Sequence, residues 1–269
     1  MNNELNLIVL IKQVPEIDKV KFDIEKGRID RSSAKGVINP FDLNAIEAAV
    51  QIKEKIGGNI TAISMGPPQA ISSLREAISR GVDRSILLSD NKFAGADTLA
   101  TSYTLACAIK KIKKFDIIIC GEKTVDGDTG QVGAEVAEHL NIPHASYVSK
   151  IIEYNKEYII VLSEMGSYNY IIKLNFPCLI SVTKDINVPR LPTFKDLMKA
   201  RKAEIEIWDS NSLSDIADIN KFGIEGSPTR VIKIAIPKEE IGKCKIFRGE
   251  IDEIVSALVK ELGVILKLW

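Results

Sequence analysis

The residues best suited to chemistry lie in one stretch, Gly121-Glu122-Lys123-Thr124-Val125-Asp126-Gly127-Asp128-Thr129-Gly130-Gln131-Val132-Gly133. Within it Gly127, Gly130 and Gly133 recur at every third position, between an apolar strand-like run and a helical pattern. Glycine lets main chain approach a ligand closely, and a helix start offers N–H groups that carry partial positive charge and lack intrahelical acceptors. Together they suit a phosphate or pyrophosphate. The spacing is neither G-x-G-x-x-G nor a P-loop, because no Lys-Ser/Thr pair follows the glycine. Asp128, three residues before Gln131, also reads as the start of a capping box. A tight turn whose acids cap the following helix is therefore a second reading of the same residues. Asn39-Pro40-Phe41-Asp42, at another expected helix start, is a second candidate. An Asn amide both donates and accepts, which suits an adenine edge or a ribose, although an Asn-Pro turn ahead of a helix needs no ligand.

Catalytic side chains are not expected. The sequence has no G-x-S-x-G and no H-E-x-x-H, and its two histidines, His139 and His144, suggest no Ser-His-acid triad. Cys107, Cys120, Cys178 and Cys244 form no C-x-x-C pair, so reduced thiols are expected and no metal site. A nucleotide site without acid–base machinery points to a cofactor that carries the chemistry itself.

These segments need a frame. Leu7–Ile11, Ile60–Met65, Ile86–Leu88 and Ile117–Cys120 are short, β-branched-rich runs of the kind found in buried parallel strands. Amphipathic patterns separate them at 42–56 (Asp42 as N-cap), 67–80 (opened by two prolines and closed by Gly81) and 96–113 (capped by Asp97). This alternation predicts an α/β fold, a doubly wound, mostly parallel Rossmann-like sheet, with ligands beyond the carboxyl ends of its strands. Residues 147–183 instead read as successive strands, Tyr147–Ile152, Tyr158–Ser163, Tyr168–Leu174 and Leu179–Thr183, forming an antiparallel meander beside the sheet. The nucleotide-binding α/β domain with this meander is thus expected over 1–183. Residues 184–202 read as an exposed basic loop running into a short helix. Residues 203–269 read as a Ser/Asp/Asn/Gly-rich linker (209–229), a strand (Val231–Ile236) and a C-terminal helical arm at 250–262. The apolar end Val264-Ile265-Leu266-Lys267-Leu268-Trp269 calls for burial on another chain.

The 269 residues carry 36 Lys+Arg against 36 Asp+Glu, so no net field draws the chain to nucleic acid. The opening reads as a first strand rather than a signal peptide. No stretch approaches the ~18 uncharged apolar residues of a membrane span. A cytoplasmic protein without membrane insertion is expected.

Five elements resemble, in order, the electron-transfer flavoprotein β-subunit family: V-L-I-K-Q-V-P at 9–15, N-P-F-D-L-N-A-I-E-A-A at 39–49, S-M-G-P-P-Q-A at 64–70, D-G-D-T-G-Q-V-G at 126–133 and P-R-L-P-T-F-K-D-L-M-K-A-R-K at 189–202. The resemblance covers nearly the whole chain. It implies a heterodimer with a larger α subunit that carries the electron-transferring FAD. It places an adenine nucleotide against Leu10, Asn39, Pro40, Phe41, Asp42 and Met65. The rest of its site would be Asp126, Gly127, Asp128, Thr129, Gly130, Gln131, Val132, Gly133, Ala134, Glu135 and Val136. In respiratory members that nucleotide is a structural AMP. In members from anaerobes it is the adenine half of a second FAD, which bifurcates electrons from NADH, one branch passing to ferredoxin. Respiratory members resemble D-D-D-C-N-Q-T-G at the phosphate loop, whereas D-G-D-T-G-Q-V-G resembles the bifurcating type and favours FAD over AMP. The segment F-A-G-A-D-T at 93–98 also resembles that type and would face the flavin or NADH. The family's counterpart of 184–202 docks onto acyl-CoA-type dehydrogenases through a leucine. Phe194 stands there in this chain, with Arg190, Lys195, Lys199, Arg201 and Lys202 around it to steer an acidic surface. A colourless nucleotide-binding regulatory module without redox role is the alternative of another class.

Overall fold

A computed structural model describes residues 4–16, 21–23, 28–30, 36–232 and 244–266. The chain divides into two compact units, Met1–Ile232 and Lys233–Trp269.

The first unit is built on one nine-stranded sheet. β1 (Leu5–Leu10) pairs in parallel with β6 (Gly58–Met65) on one side and β8 (Ile117–Gly121) on the other. β7 (Arg84–Leu88) and β13 (Glu206–Trp208) extend the β6 side, again in parallel. On the β8 side follow β12 (Cys178–Val182) and β9 (His144–Tyr154), both parallel, then β10 (Tyr158–Met165) and β11 (Tyr168–Asn175), antiparallel. The order is therefore β11-β10-β9-β12-β8-β1-β6-β7-β13. Two small antiparallel pairs stand apart: β2 (Gln13–Pro15) with β5 (Gly36–Ile38), and β3 (Lys21–Asp23) with β4 (Arg28–Asp30).

Residue type explains which strands lie inside. The middle of β1 and all of β12 are buried on both faces, as uninterrupted Val/Ile/Leu runs require. β10 alternates buried and half-buried residues, and edge strand β11 is mostly exposed. Alternate residues of β1 feed two cores. Leu7 and Val9 join one with Ile46 and Ile52 of α1 (Pro40–Ile56) and Leu74 of α2 (Ile71–Ser79). Ile8 and Leu10 join the other with Leu105 and Ile109 of α3 (Thr98–Ile112) and Val136 of α4 (Val132–Leu140). This is the doubly wound arrangement. The chain moves outward from β1 through β6 to β7, then returns to β8 on the opposite side, so the order reverses between β1 and β8. A crevice opens beyond the carboxyl ends at such a reversal.

Three expectations change. The meander does not pack beside the sheet but continues it, and its fourth run is the parallel strand β12, inserted between β9 and β8. Residues 209–229 are not a loose linker. Leu213 and Phe222 are buried, and the Phe222 ring meets Phe93 edge-on at 5.0 Å. The polar residues there cap short turns: Asp209 accepts from Ser212 N at 2.8 Å, and Asp218 from Asn220 N at 3.1 Å. Val231 and Ile232 lie outside any strand, and the remainder of the expected strand at 231–236 lies outside the described residues. In the second unit, α6 (Ile251–Leu266) runs past the expected 250–262. Ile251, Val255, Leu258, Val259 and Leu262 are all more than two-fifths exposed. Residues 267–269 of the apolar end lie outside the described residues.

Candidate functional site

The segments that resembled a nucleotide site converge on the β1/β8 reversal. Leu10 ends β1, Gly121 ends β8, Met65 ends β6, and α1 begins at Pro40 with Asn39 as its N-cap residue. Asp42 is not the cap. It sits inside the first turn, 4% exposed, and its carboxylate staples the two strand ends: Lys12 N donates to Oδ2 at 2.8 Å and Gly121 N to Oδ1 at 3.1 Å. Burial pushes the Asp42 carboxyl up to about 7, although Asn39 and the Lys12 and Gly121 amides pull the other way. Gly121 is obligatory here, since a Cβ would lie 2.5 Å from Asp42 Oδ1 and 2.7 Å from Phe41 Cβ.

Asn39, wholly buried, does the same for the loop that follows β8. Its Nδ2 donates to Lys123 O at 2.9 Å, and Val125 N donates to its Oδ1 at 3.2 Å. The loop then tightens, with Gly127 N and Asp128 N both donating to Thr124 O. Two lysines hold its acids. Lys12 Nζ lies 2.7 Å from Asp126 Oδ1, and Lys123 Nζ lies 2.8 Å from Asp128 Oδ1. Burial raises the Asp126 carboxyl, but the hydrogen bond and charge of Lys12 outweigh it and leave the group below its ordinary value.

The capping-box reading of Asp128 fails. α4 begins at Val132 after Gln131, whose side chain makes no cap, and Asp128 lies in the left-handed region at φ +55°. Gly130 follows at φ +66°. As a result, the main-chain N–H groups of residues 129–134 donate to no acceptor among the described residues. This run of free amides, entering a helix whose dipole favours an anion, is a main-chain cradle suited to an anion. Thr129 and Gln131 are exposed, while Gly130, Val132, Gly133, Ala134 and Glu135 are half-buried. Leu10 and Val136 are buried in the second core. Glu135 Oε1 accepts from Thr98 Oγ1 at 3.1 Å, which ties α4 to the start of α3 beside the 93–98 segment. Asp97 caps α3 through Ala100 N at 3.1 Å, as expected.

The expected docking segment lies elsewhere in the first unit. α5 (Phe194–Lys202) starts with a complete capping box from Thr193 and Asp196. Phe194 is 79% exposed, beside exposed Lys195 and Lys199. Arg190 is not a free steering charge. It is clamped to α1, with Nε 2.7 Å from Glu47 Oε2 and Nη1 2.5 Å from Glu54 Oε1. Asn44 donates to Lys184 O and Asn187 O and accepts from Asn187 Nδ2 through its own carbonyl, fixing the start of the same segment.

A doubly wound sheet with a glycine-spaced amide cradle at its order reversal has the architecture of the α/β nucleotide-binding class. Within that class, residues 26–213 match the family model described as the electron transfer flavoprotein domain. The chain is 42% identical over 260 residues to the electron transfer flavoprotein subunit beta of Thermoanaerobacterium thermosaccharolyticum, covering 96% of this chain and 98% of that one. It is 37% identical over 259 residues to the caffeyl-CoA reductase-Etf complex subunit CarD of Acetobacterium woodii, covering 96% and 98%. It is 36% identical over 264 residues to the protein FixA of Azorhizobium caulinodans, covering 96% and 94%. The chain belongs to the electron transfer flavoprotein β-subunit family, whose function is electron transfer. Among the described residues no helix is long and apolar enough to cross a membrane.

Proposed function

We propose that this chain is the β subunit of a heterodimeric electron transfer flavoprotein and holds an FAD by its adenine nucleotide and pyrophosphate in the β1/β8 crevice. The observation that supports this most is the run of free amides at 129–134, preceded by Gly127 and containing Gly130 and Gly133, where a pyrophosphate needs donors and few side chains. Asn39 and Asp42 hold the main chain around it. Lys12 and Lys123 hold Asp126 and Asp128, which would otherwise repel a phosphate. An FAD held here by the 129–134 amides would supply the redox chemistry, the exchange of electrons with NADH, the α-subunit FAD and ferredoxin. The relative from Acetobacterium woodii is named for a complex with a caffeyl-CoA reductase, which supports an acyl-CoA-type dehydrogenase as the partner served through Phe194. The apolar stripe of α6 suits burial on the α subunit.

The test is a cofactor count on the purified, denatured αβ complex. Two FAD and no AMP is the expected result. One FAD with one AMP refutes bifurcation at this site and leaves a carrier with a structural nucleotide. A colourless protein that purifies without an α subunit refutes the redox role altogether.

A further inference from the structure

Among the described residues, Tyr147 is the one aromatic residue that a distorted strand holds at positive φ, and its hydroxyl lies beside the cradle. Between the partners Ala145↔Ile180 and Val148↔Val182, β9 carries two residues opposite the single Ser181 of β12, a β-bulge. Tyr147 takes up the extra residue at φ +57°, a left-handed conformation that bulky side chains rarely adopt. The bulge is held from both sides: Tyr147 N donates to Ser181 Oγ at 3.3 Å, and Ser163 Oγ donates to Ser146 O at 2.6 Å. Val148 is thereby kept in the core, while Tyr147 stays 39% exposed. Its hydroxyl comes to the cradle, where a methyl group on Gly130 would lie 3.4 Å from the Tyr147 oxygen. Strain of this kind persists where the surroundings enforce it, and it gathers at ligand sites.

We infer that Tyr147 is a ligand-contacting residue of the nucleotide site, its hydroxyl adding a side-chain donor to the main-chain amides of 129–134 and bonding a phosphate oxygen. This rests on the nucleotide reading above. Gly130 is required by its own left-handed φ of +66°, and the hydroxyl lies at ordinary contact distance from the position its Cβ would take. A phenol is neutral and directional, so it adds specificity at the cradle without adding charge.

The experiment uses the αβ complex stripped of its β-site nucleotide and titrated with FAD, wild type against Tyr147→Phe. Phe keeps the ring, the bulge and the strained backbone and removes only the donor. The expected result is a dissociation constant raised about tenfold, the equivalent of about 1.4 kcal/mol, with the melting temperature of the stripped complex unchanged. An increase of threefold or more supports the contact, and a smaller one overturns it. Wild type that takes up no FAD or other adenine nucleotide in this crevice overturns the nucleotide reading itself, a failure distinct from equal binding by both proteins.

Discussion

Asp42 should make stability depend on pH in the neutral range, and Asp42→Asn should remove that dependence. The carboxyl is 4% exposed and raised by burial from 3.8 to about 7. Its folded value lies above its unfolded one, so the stability linked to protonation is full below about pH 4 and is lost as pH rises through 7. At about 1.4 kcal/mol per pH unit, the whole effect is roughly 4 kcal/mol. Between pH 8 and pH 6 the part gained is about 1.4 kcal/mol, or roughly 3–5 °C in melting temperature for a chain of this size. The Asn variant keeps one acceptor but sets its amide against the N–H of Lys12 or Gly121, which costs about 2 kcal/mol at every pH. The assay is thermal unfolding of the αβ complex at pH 6 and pH 8, wild type beside variant. Every other group's contribution cancels in the difference between the two proteins, and burial pushes the neighbouring Cys120 thiol up and out of the window. If Asp42→Asn keeps the full increment of the wild type, Asp42 is not the group that titrates and the staple is ionised throughout.

Gly121→Ala should destabilise by about 2–3 kcal/mol in urea unfolding, because its Cβ has no room between Asp42 and Phe41. On the proposed docking role, Phe194→Ala should raise the KM for the partner dehydrogenase about tenfold, and it should leave the melting temperature in place because the side chain is exposed. Unchanged dehydrogenase kinetics would remove 184–202 from the docking surface. Arg190→Ala should cost about 2 kcal/mol by leaving Glu47, almost buried, without its cation. Burial raises the Glu47 carboxyl, but hydrogen bonds from Arg190 win and lower it. The wild type should therefore lose this contribution as pH falls below about 4.5, and the variant should lack that acid-side loss in the same unfolding assay.

The parallel core was legible because its strands are buried on both faces and leave uninterrupted β-branched runs, as in Ile117–Cys120. The glycine-spaced loop was legible for a similar reason, since close main-chain approach leaves its mark in glycine itself. Roles that depend on distant partners left no such trace. Asp42 looked like a helix cap because its hydrogen-bond donors, Lys12 and Gly121, lie 30 and 79 residues away. Arg190 looked solvated because Glu47 is 143 residues away. β12 was grouped with the meander because no helix separates it from β11, and nothing local says that a strand following a hairpin returns to the parallel sheet. Tyr147 gave no signal at all. A positive φ is written in sequence by Gly or Asn, and here a bulge imposes it on a tyrosine.

α1 draws these pieces together. Its start carries Asn39 and Asp42, which shape the crevice, and the same helix carries Asn44, Glu47 and Glu54, which grip residues 184–190. Seventeen residues of helix span about 25 Å, and most of that length is buried in the first core. A packed helix of this kind bends little, so the segment presenting Phe194 is held at a fixed separation from the cradle by one element instead of by a chain of loops. Electron transfer between a bound cofactor and a docked partner depends on such a separation. The sequence elements N-P-F-D at 39–42 and P-R at 189–190 are thus two ends of one mechanical link, and loosening the Arg190 clamp should alter docking while leaving nucleotide affinity intact.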